Sequence, residues 1–207
     1  MFLCARVHAR VRARHGPFRL CHFESSVGGK WLALLKEAAP AVSRVSLLFN
    51  PETAPFADGY RRSAEAAAPT LGLTVVSAPC GKAADIESAF DARARESSGG
   101  IIGIPDTFLD EHRDLIIELA AWHHLPAVYG TRDFVSRGGL LAYSADFVAI
   151  FHRAASYVDQ TLRGVRPGEL PVQAPDKFTL SVNLRTAKAL GLSIPQSLQA
   201  SADEVIE

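Results

Sequence analysis

Nothing in this 207-residue chain approaches the roughly 18–20 consecutive apolar residues that a membrane-crossing helix requires, so direct insertion into a bilayer is excluded. Cysteine is scarce. Cys4, Cys21 and Cys80 form an odd set with no CxxC and no Cys/His ligand spacing, which excludes a disulfide framework and a zinc site of the usual pattern. Net charge is missing as well: 22 basic side chains balance 22 acidic ones, so no whole-chain field draws the protein to nucleic acid. The sequence lacks GxSxG, a Walker loop, HExxH and a GxGxxG after a strand. No catalytic residue, metal ligand or cofactor follows from it. The N-terminus does not read as a secretory signal, because arginines interrupt every apolar stretch after the first four residues.

What is present is a globular composition, 48% hydrophobic and 21% charged. Charge is unevenly spread. Residues 1–22 hold five Arg, three His and no acid; removing those five from the 22 Lys and Arg leaves 17 against 22 acids in the remainder. This atypical basic segment carries no nucleic-acid motif. It reads as a foreign start to an otherwise regular chain, and without a signal the chain as written would stay in the cytoplasm.

From Trp31 onward the pattern is regular. Trp31, Leu34, Leu35 and Ala38 share one helical face, and Pro40 ends that helix. Val45–Phe49 is an apolar strand stopped by Asn50-Pro51. An Ala-rich helix over 56–71 stops at Gly72, and a strand covers 73–79. A helix over 85–97 has Asp85 as its N-cap and Ile86, Phe90 and Ala94 inward. GGIIGIP (99–105) is a buried strand. Residues 110–123 form a helix with Leu115, Ile116, Leu119 and Trp122 as its apolar stripe, and PAVYG (126–130) is a strand. Then come a strand over 140–146, a long helix over 147–163, a Pro-rich connection, a strand over 179–184, a short helix, and a last helix in PQSLQASADEVIE. Continuous apolar strands alternating with helices predict an α/β fold, a doubly wound parallel sheet covered on both faces.

In such sheets ligands sit beyond the carboxyl ends of the strands. Four connections there carry polar side chains beside aromatics: Asn50 and Thr53 with Phe56, Asp106 and Thr107 with Phe108, Arg132 and Asp133 with Tyr129, and Asp146 with Tyr143. That mixture suits a small-molecule site. Asn50, Asp106 and Asp133 also fit plain turn formers or helix caps. His123-His124 reads as a solvated helix C-terminus. His112, among Asp110, Glu111 and Asp114, reads as part of an acidic first turn.

Three stretches, GGKWLALLKEAAPAVSRVSLLFNPETAP, AAWHHLPAVYGTRDFVSRGGLLAYSADF and LPVQAPDKFTLSVNLRTAKALGLSIPQSLQASADEVIE, resemble the substrate-binding proteins of ABC transporters. The nearest branch is the type I periplasmic binding proteins of tryptophan/tyrosine type, and the likeness runs from about Phe23 to Glu207. It implies a two-lobed clamshell with a hinge, of which this chain holds one lobe plus hinge-crossing elements of the other. On that template residues 23–140 form the α/β lobe, 141–169 the hinge strand and helix of the incomplete lobe, and 170–207 the return to the first. The family's signal peptide and most of its N-terminal lobe have no counterpart here. The helix over 147–163 would then expose its apolar face, Phe147, Ile150, Phe151, Ala154, Tyr157, Val158 and Leu162.

The resemblance implies a solute-binding component that takes a small organic solute, an amino acid or aromatic acid, into an interlobe cleft and delivers it to an ABC permease in the periplasm. Its ligand contacts would fall on Asn50, Thr53, Asp106, Thr107, Tyr129 and Asp146. It implies no cofactor, no metal, no nucleic acid and no enzymatic activity. The alternatives are a soluble small-molecule sensing domain, or an α/β enzyme with an unrecognised site.

Overall fold

The computed structural model describes residues 24–96, 98–171 and 174–207. The basic segment 1–22, with Cys4 and Cys21, lies outside them. Helix α1 (Val27–Ala38) buries Trp31, Leu34, Leu35 and Ala38 at helical spacing. Strand β1 (Arg44–Phe49) is buried from Val45 to Leu48. Helix α2 (Ala57–Ala67) tightens into a 3₁₀ turn at Ala68–Leu71, where Pro69 stands, and Gly72 closes it at φ +64°. Then follow β2 (Thr74–Pro79), α3 (Ala83–Ala94) and β3 (Gly99–Gly103). The next segment holds α4 (Thr107–Glu111), α5 (Arg113–Trp122), β4 (Ala127–Tyr129), α6 (Asp133–Ser136) and β5 (Leu141–Ala145). The last holds α7 (Phe147–Leu162), β6 (Phe178–Asn183), α8 (Leu184–Ala189), α9 (Gln196–Ala200) and β7 (Glu204–Ile206).

One seven-stranded sheet runs in the order β2-β1-β3-β4-β5-β6-β7. Strands β1 to β5 are mutually parallel where they pair. The bonds Asn183 N–H to Leu140 O and Asp146 N–H to Lys177 O join residues that count in opposite directions, so β6 runs antiparallel to β5. Strand β7 is parallel to β6. The sheet is thus mostly parallel, as expected of a doubly wound α/β fold, with one antiparallel pairing between β5 and β6.

Successive strand residues face opposite sides, and the core divides accordingly. Leu48, Ile101 and Tyr129 join Ile86, Phe90, Ile116, Phe134 and Val135 in one cluster. On the other side, a Cβ at Gly100 would meet Leu35 and Val42, which places α1 there. Arg93 of α3 is buried against β1, where its Nε donates to Ser46 Oγ at 3.0 Å and its Nη1 pairs with Glu96 at 3.0 Å.

Four local expectations need correction. Asp85 is not the N-cap of α3 but its third residue. Its Oδ2 accepts from the N–H groups of Gly81 (2.9 Å) and Lys82 (3.1 Å), so the carboxylate reaches back and the helix starts earlier. The helix expected over 110–123 begins at Thr107 and breaks at His112. Its stripe is rotated: Ile116 and Ala120 are buried, while Trp122 is 81% exposed. The tail is not helical to its end. Leu180 N–H donates to Asp203 Oδ2 (2.8 Å) and Asp203 N–H donates to Leu180 O (2.9 Å), which draws the last residues onto β6 as a strand.

The chain divides into two compact units. The larger comprises residues 25–144 and 179–207 and holds almost the whole sheet. The described part of the smaller is Glu24 with residues 145–171 and 174–178, and α7 dominates it. Within that unit Tyr157 Oη donates to Pro171 O at 2.8 Å, and Arg153 pairs with Asp176 at 2.5 Å. Of the apolar face expected to be bare, Phe147, Phe151, Val158 and Leu162 are exposed, whereas Ile150 and Tyr157 are buried.

Candidate functional site

The carboxyl ends of β1 and β3 are tied together by one carboxylate. Asn50 follows β1, and its side-chain Oδ1 accepts from the N–H groups of Glu52 (2.8 Å) and Thr53 (3.4 Å). This is an Asx turn, which a short polar side chain after a strand favours. Pro51, with no N–H of its own, sits inside the turn without leaving a donor unpaired. Ala54 N–H closes the loop on Asn50 O at 2.8 Å.

Asp106 comes from the loop after β3, 56 residues further on. It is the extended N-cap of α4, and its Oδ1 accepts from Phe108 N–H at 3.1 Å. The same oxygen accepts from the Thr53 hydroxyl, and Oδ2 accepts from Asn50 N–H at 2.7 Å. Asn50 and Asp106 are 5% and 4% exposed. A carboxylate buried to that degree persists only when it is hydrogen-bonded, and here three donors reach it. Cys80, at the end of the neighbouring β2, donates its N–H to Phe49 O at 2.8 Å. Burial first, then the negative charges of Asp85 and Asp106, push its thiol up to about 11, so it is held as the unreactive neutral form.

Aromatic rings flank this pair of loops. Phe56 is half-buried and meets Tyr60 edge-on at 6.2 Å, and Tyr60 lies 4.9 Å from the buried Trp31. On the β3 side Phe108 lies 4.3 Å from the ring of His112, whose Nδ1 is 2.9 Å from Phe108 O. Thr107 is exposed at the first position of α4. The arrangement offers hydrogen-bonding groups on a rigid frame between apolar walls, the mixture that small-molecule sites use. Among the described residues, no group of three or more His, Cys, Asp or Glu could hold a metal ion.

The structure thus brings together Asn50, Thr53 and Asp106, with Thr107 beside them. The other two sequence candidates each have bonds or packing of their own. Tyr129 is fully buried, stacked on Phe134 at 4.3 Å, and its hydroxyl has no hydrogen-bond partner among the described residues; burial drives its phenol pKa strongly upward. Asp146 belongs to the smaller unit and caps α7. Its Oδ1 accepts from Ala149 N–H at 3.0 Å, and Oδ2 lies 3.2 Å from Lys177 Nζ. Those bonds, the backbone one first, hold its carboxyl below the usual value.

A second polar group lies after β4 and was not legible as a group. Thr131 Oγ1 donates to Asp110 Oδ1 at 3.2 Å, and Arg113 approaches Asp110 at 3.6 Å and Asp133 at 3.9 Å. Arg113 also lies over the Phe134 ring at 5.5 Å. Burial, against the Thr131 bond and the Arg113 charge, raises the Asp110 carboxyl. The available signal was the i, i+3 spacing of Asp110 and Arg113. Arg132 turns away from this group to a two-pronged pair with Glu204, both bonds 2.6 Å.

A family model for ABC transporter substrate binding proteins matches residues 27–206. Among solved structures, a conserved domain protein from Vibrio cholerae O1 biovar El Tor matches with a TM-score of 0.79 at 28% identity, over 90% of this chain and 62% of that one. An ABC domain in complex with L-Trp from Streptococcus pneumonia matches with a TM-score of 0.77 at 21% identity, over 86% of this chain and 60% of that one. A ligand-free, open substrate binding protein with adhesive properties from Clostridium difficile matches at 0.67 and 18% identity, over 95% and 66%. This chain therefore spans less than two thirds of each of those proteins. No curated protein sequence matches it.

Proposed function

This chain belongs to the ABC transporter substrate binding protein family, and from that premise we propose that it binds a small organic solute, an amino acid or aromatic acid, at the carboxyl ends of β1 and β3. The observation that carries the reading is the buried Asp106 clamp, which fixes the Asn50–Phe56 and Asp106–Phe108 loops against each other at the edge where α/β sheets take ligands. Loops that merely connect strands to helices need no shared buried carboxylate. The L-Trp held by the streptococcal relative supports an aromatic amino acid as the first solute to try. Asn50, Thr53 and Thr107 lie within the candidate contact region. Delivery to an ABC permease, in a periplasmic or extracellular setting, completes the reading.

The test is a thermal-shift screen with amino acids, aromatic acids and other small organic solutes. A solute that binds only the folded state raises stability by mass action, about 2.7 kcal/mol at a hundredfold excess over its dissociation constant. The expected result is a rise with L-tryptophan or a related acid that Thr107→Ala weakens and that Phe108→Ala weakens more. A cooperative melt indifferent to every solute would sink the reading.

A further inference from the structure

Asp106 is nearly spent within the protein, with three of its roughly four acceptor positions taken. One oxygen takes the Thr53 hydroxyl and the Phe108 N–H, the other takes the Asn50 N–H, and the residue is 4% exposed. Asn50 is differently placed. Its backbone N–H is committed to Asp106, its backbone carbonyl to Ala54, and its side-chain oxygen to two backbone donors. Those two donors require the oxygen, not the nitrogen, on the inner side of the amide. Asn50 Nδ2 makes no hydrogen bond among the described residues, so it is the one polar group of this nearly buried residue left to bond a solute. It is a donor, and the turn fixes its direction.

We propose that Asp106 is a positioning residue, not a ligand contact, and that the side-chain amide of Asn50, whose turn Asp106 braces through the Asn50 N–H and the Thr53 hydroxyl, selects solutes presenting a hydrogen-bond acceptor, an α-carboxylate above all. This rests on the solute-binding reading and adds the division of labour within the site. A site built to donate one fixed hydrogen bond rejects an analogue that lacks the acceptor, because the donor is then left unpaired.

Two probes differ by that acceptor alone: L-tryptophan and tryptamine, its decarboxylated analogue. Calorimetry on the full chain is expected to show L-tryptophan preferred by about tenfold or more. Asn50→Ser keeps an oxygen for the turn and removes the amide nitrogen, so it should lower the preference to about twofold. Asp106→Ala, measured well below its melting temperature, should erase the preference along with the affinity, as the turn loosens. An unchanged preference in Asn50→Ser overturns the amide as selector; an unchanged preference in folded Asp106→Ala overturns the positioning role. If the wild type binds neither probe, the aromatic-acid reading falls and the selector with it. The positioning role is then judged without solute. The backbone ¹⁵N–¹H resonance of Asn50, whose N–H donates to Asp106 Oδ2, should move to the position of an unbonded amide in Asp106→Ala, and an unmoved resonance refutes the clamp.

Discussion

The indole N–H of Trp31 donates to the carbonyl oxygen of Tyr143 across 2.8 Å, joining α1 to the last residues of β5 before the chain passes into the smaller unit. Trp31 is 1% exposed, so the bond is made in a dry setting and its ring fills space beside Tyr60. Trp31→Phe removes the donor and leaves a gap. It should cost about 2 kcal/mol of folding stability, read by urea denaturation. A loss under about 0.5 kcal/mol would mean the bond is ornamental.

The Tyr129 hydroxyl is buried with no partner among the described residues. Leaving such a group unpaired costs about 1–3 kcal/mol, so Tyr129→Phe should raise stability by about 1 kcal/mol while the stack on Phe134 persists. Solute binding should not change, since the ring faces the core. A fall in stability would show that the hydroxyl finds a partner in solution.

Gly28 lets α1 and α2 touch. A Cβ there would stand 2.3 Å from Tyr60 O and 3.2 Å from Ala64 N, both backbone atoms that cannot swing aside. Gly28→Ala should therefore destabilise by about 1–3 kcal/mol despite alanine's better helix propensity. A raised melting temperature would mean that the two helices separate at little expense.

Glu204 carries the acid-side dependence that can be signed. Its bonds from Arg132, ahead of the opposing burial, hold the folded carboxyl below its usual value. The contribution is complete above the unfolded glutamate value, about pH 4.3, and is lost as pH falls through the lower folded value. Asp110, raised by burial, acts in the opposite sense. Glu204→Gln should flatten the stability profile below about pH 4.5. An unchanged slope would assign the acid sensitivity to other carboxylates.

Much of the sheet was legible in sequence because its central strands are short apolar runs closed by Pro, Gly or Asn. Val45–Phe49 and Gly99–Gly103 advertise burial on both faces, and Gly72 marks a stop that only a left-handed residue makes without strain. The final strand was not legible. Glu204–Ile206 has three residues, and what makes it a strand is Asp203 meeting Leu180 across 23 positions. The reversal at β6 was hidden for a similar reason: composition does not encode direction. At the candidate site, sequence could pick out Asn50 and Asp106 as polar strand ends. It could not tell that one is spent holding the other, because that depends on which lone pairs are already filled.

Strands β5 and β6 run antiparallel as neighbours, with Ser144 Oγ 3.4 Å from Thr179 Oγ1 and, one step further, the Asp146–Lys177 backbone bond. In topology they are the two arms of a hairpin whose loop is itself a folded body, residues 145–178. The strand pairing needs the ends of that loop to meet, and the entropy of closing a loop grows slowly with its length. The sheet therefore tolerates an exchange of its passenger: a lengthened, shortened or wholly different insertion between Ser144 and Thr179 leaves each strand of the larger unit with the partner it has now.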